Sequence, residues 1–236
     1  MHTIFLHKAD FLPDLREGTM KKIFYCIGLL SIGCMSNFNC ASTITTAPAV
    51  TEPLPEKTRM VGLEWKPNLP SDEFVIEPLD AYKSITFTLV GVNDVRGDPR
   101  IIGKAYEDQK VRDAFIPIAT KANVSKWCCI AFETAFRKFG IQTDNKKGNL
   151  RLEIDLNDFS ILDDFTQTGS ATFRVSAHNN EDLLIWEGLI KGTSDLYVHP
   201  TNSDGISECL SNTIMVTINN MLIDQSFRDA VIIAFE

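Results

Sequence analysis

The chain has 236 residues, 44% of them hydrophobic and 23% charged, with a mean hydropathy of −0.03. Those figures exclude a polytopic membrane protein, and 9% aromatic residues argue against a disordered chain. Acidic residues outnumber basic ones 31 to 23, a formal net charge of −8, and basic residues cluster no further than adjacent pairs such as Lys146-Lys147, so no nucleic-acid surface is expected.

An export pattern comes first. Lys21 and Lys22 precede an apolar run, residues 23–30, that continues through Ser31, Ile32 and Gly33 to Cys34. A short positive stretch, about a dozen apolar residues and then small residues make a secretory signal peptide. The run is shorter than the ~20 apolar residues that span a bilayer. Residues 1–19 then read as an upstream extension, with Met20 as the translation start and 20–40 as the signal. Ile32-Gly33-Cys34 is similar to a bacterial lipobox, whose cysteine takes a diacylglyceryl group and an acyl chain such as palmitate, although Ser31 stands where that pattern prefers Leu. Lipid attachment at Cys34 is the expectation. Ordinary cleavage after Ala41 or Ser42, giving a secreted or soluble periplasmic product, is the alternative. Each CH₂ of such a chain adds ~0.8 kcal/mol of membrane affinity. Residues 41–60, rich in Thr, Pro and Ala, have no periodicity to bury and read as a tether. That leaves 61–236 as a single domain. Without residues 1–40 the chain keeps 19 basic and 28 acidic side chains, net −9, which disfavours anionic head groups and leaves the acyl anchor as the membrane contact.

Within the domain, residues 62–80 carry Pro67, Pro70 and Pro78 and are expected on the surface, with one short strand at 74–76. Residues 84–92 alternate, placing Ile85, Phe87 and Leu89 on one face of a strand. A helix is predicted over 122–139. Val124, Trp127, Cys128, Ala131, Phe132, Ala135, Phe136 and Phe139 make its apolar stripe, Asn123 its N-cap, and Gly140 its left-handed C-terminal stop. Three alternating strands follow, around Leu150 to Leu156, Ala171 to Ala177 and Leu184 to Ile190, with Asn179-Asn180-Glu181-Asp182 as the turn between the last two. A second helix over 204–223 carries Ile206, Cys209, Leu210, Ile214, Ile218, Met221 and Leu222, with Ser203 or Asp204 as its cap. The expected architecture is α+β, an antiparallel sheet of about four strands with two amphipathic helices packed on one face.

This order resembles the YajG-like envelope lipoproteins of Gram-negative bacteria. The residues that carry the resemblance are the lipobox-like signal and tether, the strand ending in Asp94-Val95-Arg96, Ile102-Gly103, the helix closing on Phe139-Gly140-Ile141, and the strand Leu150-Arg151-Leu152-Glu153-Ile154. It covers residues 74–224 and implies a periplasm-facing α+β lipoprotein domain with no established enzymatic activity. A remoter likeness, to auxiliary lipoproteins of envelope lipid-transport systems, implies an accessory subunit docking on a membrane complex.

The richest polar motif is the loop after the first strand, where Asp94, Arg96, Asp98 and Arg100 fall within seven residues. Arg forks there suit a carboxylate or phosphate, or a protein partner. The plainer reading is a turn in which Asp94 caps the loop and Arg96 pairs back onto the sheet. Asp155, Asp158, Asp163 and Asp164 lack calcium-loop spacing and read as a solvated hairpin end. Cys128 or Cys129 pairs with Cys209 in one reading, and all three are buried inert thiols in the other. His178 and His199 belong to no nucleophile motif, no phosphate loop occurs, and no Cys-x-x-Cys suggests zinc. Trp65, between prolines, is expected to be exposed. The sequence thus leads to an exported, lipid-anchored envelope module that binds instead of catalysing, with no cofactor or metal. Its expected partners are a membrane, through the anchor, and envelope proteins.

Overall fold

In the computed structural model, the described residues are 52–69, 79–108, 114–144, 146–197 and 203–235. All belong to one unit, Thr43–Glu236. The signal, Met20, Cys34, Cys40, the tether up to residue 51, the strand expected at 74–76 and His199 lie outside the described residues.

The four-strand antiparallel expectation is overturned. Eight strands form one mixed sheet: β1 (Arg59–Val61), β2 (Thr86–Asp94), β3 (Ile101–Tyr106), β4 (Phe115–Thr120), β5 (Gln142–Thr143), β6 (Leu150–Asp163), β7 (Gln167–His178) and β8 (Leu184–Leu196). Among the described residues three α-helices accompany them, α1 (Val124–Lys138), α2 (Ser203–Ile223) and α3 (Gln225–Phe235), beside a 3-10 turn at Leu79–Tyr82. The spine is β6. One of its edges carries β7 and then β8, both antiparallel, as the alternations suggested. Its other edge is shared by two parallel partners in succession, β2 along residues 150–156 and β3 along residues 161–163. Beyond them β5 flanks β2, β4 flanks β3, and β1 flanks β4. Parallel pairing between segments more than fifty residues apart leaves no mark in local periodicity. Gly103 and Pro117 also interrupt the alternation that would have marked β3 and β4. Because β1 starts at Arg59, it straddles the boundary drawn at residue 61.

A bulge between Leu156 and Asp158 shifts the parity of β6. Leu150, Leu152, Ile154 and Leu156 point inward before it, and Phe159, Ile161 and Asp163 after it. All three helices cover that inner face. On α1, Phe136 meets Phe87 edge-on, Phe132 meets Phe173, and Trp127 meets Phe159, with centroids 5.0–5.5 Å apart. The N-cap forms as its residues dictate, Asn123 Oδ1 accepting from the Lys126 N–H, and Gly140 takes φ +76° just past the helix.

By contrast α2 is buried nearly all round. It lies so close to the sheet that a Cβ on Gly192 would sit 2.7 Å from the Thr213 carbonyl oxygen and from the Thr217 nitrogen. Its far side is covered by the extended chain after β1, whose backbone N–H groups at Glu64, Lys66 and Asn68 donate to Ser207 Oγ, Ser211 Oγ and Asn212 Oδ1 at 3.2, 3.0 and 2.8 Å. Two residues of an extended chain advance about as far as one turn of a helix, which matches Glu64 and Lys66 to Ser207 and Ser211, while Asn68 is met by the longer side chain of Asn212, next to Ser211. This strap turns Trp65 inward, half-buried and edge-on to Trp127 at 5.8 Å, so Trp65 is not the exposed tryptophan its prolines suggested. Pro67 suits its extended backbone, and Leu63, Trp65 and Leu69 pack against the core.

Candidate functional site

The four residues singled out from the sequence lie together, at the point where β2 leaves β6 and β3 joins it. Asp94 and Gly103 are nine positions apart, but their partners on β6, Leu156 and Ile161, are five apart. The surplus chain loops out of the sheet and leaves part of the β6 edge without a strand beside it.

Arg96 fills that opening. Its Nε and Nη2 grip Asp94 Oδ1 and Oδ2 at 2.8 and 2.6 Å. Nη1 donates to the carbonyls of Phe159 on β6 (3.1 Å) and Ile101 (2.9 Å), and Nη2 also donates to Pro99 O (3.0 Å). All five guanidinium N–H groups are engaged, the most an arginine can offer. The pair is buried, with side-chain exposures of 8% for Arg96 and 7% for Asp94, and the guanidinium stacks 5.8 Å from the centre of the Phe159 ring. The pair thus does the work of the absent strand backbone and leaves no donor for an outside anion.

Asp98 and Arg100 repeat the unit nearer the surface. Asp98 Oδ1 accepts from the Arg100 backbone N–H at 2.9 Å and from Nε at 3.0 Å, while Oδ2 accepts from Nη2 at 2.8 Å. That charge-assisted bond to Arg100 is the main cause holding the Asp98 carboxyl below its ordinary pKa, and reciprocally the Arg100 pKa is raised. Nη2 of Arg100 also donates to the Glu52 carbonyl at 3.0 Å. The loop therefore grips the chain that leads into the domain. Further along the same segment Lys57 pairs with Glu107, and Arg59 pairs with the fully buried Asp163, which also accepts from Gln167 Nε2 at 3.1 Å.

The acidic group read as a solvated hairpin end is dispersed. Asp163 is in the core, Asp155 accepts from Asn93 Nδ2, and Asp158 accepts from Ser160 and Ser170 on the outer face. Among the described residues, no three His, Cys, Asp or Glu come close enough together to hold a metal ion.

Cys128, Cys129 and Cys209 are free thiols, with no bridge between the helices. Burial raises the pKa of all three, Cys209 to about 11, where its thiol donates to Gln167 O at 3.3 Å. A thiol so buried is a poor nucleophile. The strap contacts of Ser207, Ser211 and Asn212 went unread in the sequence, where hydroxyls at i and i+4 on a helix were the available signal.

The class defined here is a two-layer mixed α/β domain, one sheet face covered by helices and strapped by its own N-terminal segment. Among solved structures the chain is similar to a protein from Xanthomonas campestris assigned to the family DUF330, at 10% identity over 72% of this chain and 94% of that one, with a TM-score of 0.44. It is also similar to an uncharacterized protein (7% identity, 67% and 93% covered, TM-score 0.40) and to a PelC dodecamer from Paraburkholderia phytofirmans (8%, 59% and 88%, TM-score 0.34). Likenesses this remote say nothing of what the chain binds. No family model and no curated protein matches the chain, so the YajG-like resemblance rests on the residues quoted for it.

Proposed function

We propose that the chain is an exported cell-envelope protein, lipid-anchored at Cys34 and facing the periplasm, whose domain acts as a binding or structural module and not as an enzyme. The observation that carries this reading is the fastening of the second half of the segment read as the tether. From Glu52 onward the chain is clasped by Arg100, by the Lys57–Glu107 and Arg59–Asp163 pairs, and by the hydroxyl row of α2. A domain hung from an N-terminal anchor needs its first residues held in this way. Glu52 lies eighteen residues beyond Cys34, a reach of at most ~60 Å when extended. The domain then works within that distance of the membrane.

Radioactive palmitate fed to Gram-negative cells expressing the full chain or its Cys34→Ser variant tests the anchor. Label in the native chain and none in the variant is expected. Equal labelling of the two overturns attachment at Cys34.

A further inference from the structure

We infer that β8 is a self-pairing edge, along which two copies of the chain join their sheets antiparallel about Leu189. Thirteen residues long, β8 pairs only with β7 among the described residues. Which backbone groups face its free edge follows from two bonds. The Arg174 N–H points to β6, where it donates to Asn157 Oδ1, so Phe173 turns its groups toward β8 and its opposite number, Ile190. The Lys191 carbonyl correspondingly points away from β7, where Asn220 Nδ2 of α2 reaches it at 2.8 Å. Glu187, Leu189 and Lys191 therefore present their N–H and C=O groups along the open edge, and their side chains stand on the outer sheet face.

The order of those side chains selects the partner. A second copy placed antiparallel about Leu189 sets Leu189 opposite Leu189 and each Glu187 opposite a Lys191. Two attractive charge pairs then flank an apolar centre that is now 59% exposed. Centring on Lys191 instead would oppose two lysines, and Glu187 to Asp195, so the charges favour one register and disfavour the other. Neither Glu187 nor Lys191 has an ion-pair partner within its own described chain; Glu187 only accepts from Ser176 Oγ at 3.3 Å. Asn220 does not bar the pairing, because a carbonyl oxygen has a second lone pair. Strand addition of this kind takes its affinity from main-chain bonds and its register from the facing side chains.

The full-length chain, purified in a non-ionic detergent, tests this by sedimentation equilibrium between about 1 and 100 µM. A dimer is expected for the native chain. Glu187→Lys, which sets like charges opposite each other twice, loosens it about tenfold or more, and Glu187→Lys combined with Lys191→Glu restores it to within about threefold. Oxidation of Leu189→Cys gives a covalent dimer, because hydrogen-bonded antiparallel partners have Cα atoms ~5.5 Å apart, within disulfide reach. Thr172→Cys, on the same outer face but on the interior strand β7, gives none. All these positions lie on the solvated sheet face, so unchanged circular dichroism confirms that the variants fold. A native chain that is monomeric at the highest concentration, a Glu187→Lys variant that pairs as tightly as the native chain, or a double variant that fails to recover overturns the inference.

Discussion

The loop between β2 and β3 carries the same three-residue unit twice, Asp94-Val95-Arg96 and Asp98-Pro99-Arg100, with one internal geometry and two surroundings. In both copies one aspartate oxygen takes the backbone N–H and the Nε of the arginine two residues on, and the other oxygen takes Nη2. Local sequence is enough to dictate that clasp. Surroundings decide the rest. Buried, Arg96 turns its remaining hydrogens onto the carbonyls of Phe159, Ile101 and Pro99 and closes the sheet. With exposures of 32% and 27%, Arg100 and Asp98 hold a passing backbone carbonyl instead. A motif that reads as a binding site in sequence is thus one structural plug and one surface clasp.

The comparison breaks most visibly at Arg96. Arg96→Ala leaves the Asp94 carboxylate buried without its cation and three carbonyls without their donor, at a cost of about 3–5 kcal/mol. Urea unfolding measures it, and a loss under about 1 kcal/mol would place the two clasps on the same footing. Arg96→Lys recovers little, because one ammonium cannot reach both the fork of Asp94 and the carbonyls across the opening.

Elements built from local periodicity were legible. Helix α1 declares itself through its stripe, Asn123 and Gly140, and the alternations from Leu150, Ala171 and Leu184 place β6, β7 and β8. Elements built from distant pairing were not. Residues 115–120 went unread, and a proline inside them speaks against a strand; Pro117 is tolerated because β1 pairs with β4 only from Ile118 onward, leaving the proline beside an open edge. A single residue, Asp224, separates α3 from α2, too little for composition to mark a break. At the site, the sequence brought the four loop residues to notice and offered Arg96 pairing back on the sheet as the plainer reading. It could not show that β2 and β3 share one edge of β6, and that arrangement is what leaves the Phe159 carbonyl for Arg96 to satisfy. The strap on α2 was hidden for a related reason: Ser207, Ser211 and Asn212 look like a polar helix face until a second chain covers them.

That strap supplies the next effect in size. Asn212→Ala removes a buried acceptor from the Asn68 N–H, an expected loss of about 1–3 kcal/mol, and Ser211→Ala one of about 1 kcal/mol. Hydrogen exchange sharpens the point: amides of Glu64, Lys66 and Asn68 should lose protection together while those of β6 keep theirs. Uniform loss across both would mean that the strap folds as one unit with the sheet. Arg100→Ala belongs lower still, within about 1 kcal/mol, as exposed pairs are. Its signature is local, faster proteolysis beside Glu52 with an unchanged unfolding midpoint.

The smallest expected effect separates the twin clasps by pH. Asp98 has a carboxyl held below its ordinary pKa, chiefly by the Arg100 hydrogen bond. A group depressed on folding stabilises the native state above its unfolded pKa, near 3.9, and loses that contribution as pH falls through the lower folded value. Stability of the native chain should therefore decline more steeply below about pH 4 than that of Asp98→Asn, which has no proton to take up there. At neutral pH the native chain is the slightly more stable of the two, and the difference narrows as acid is added. Arg100→Ala should flatten the same limb of the curve, since it removes the cause of the shift. Parallel pH profiles for the native chain and Asp98→Asn would mean that the surface clasp adds nothing to folding and serves only to place the chain at Glu52.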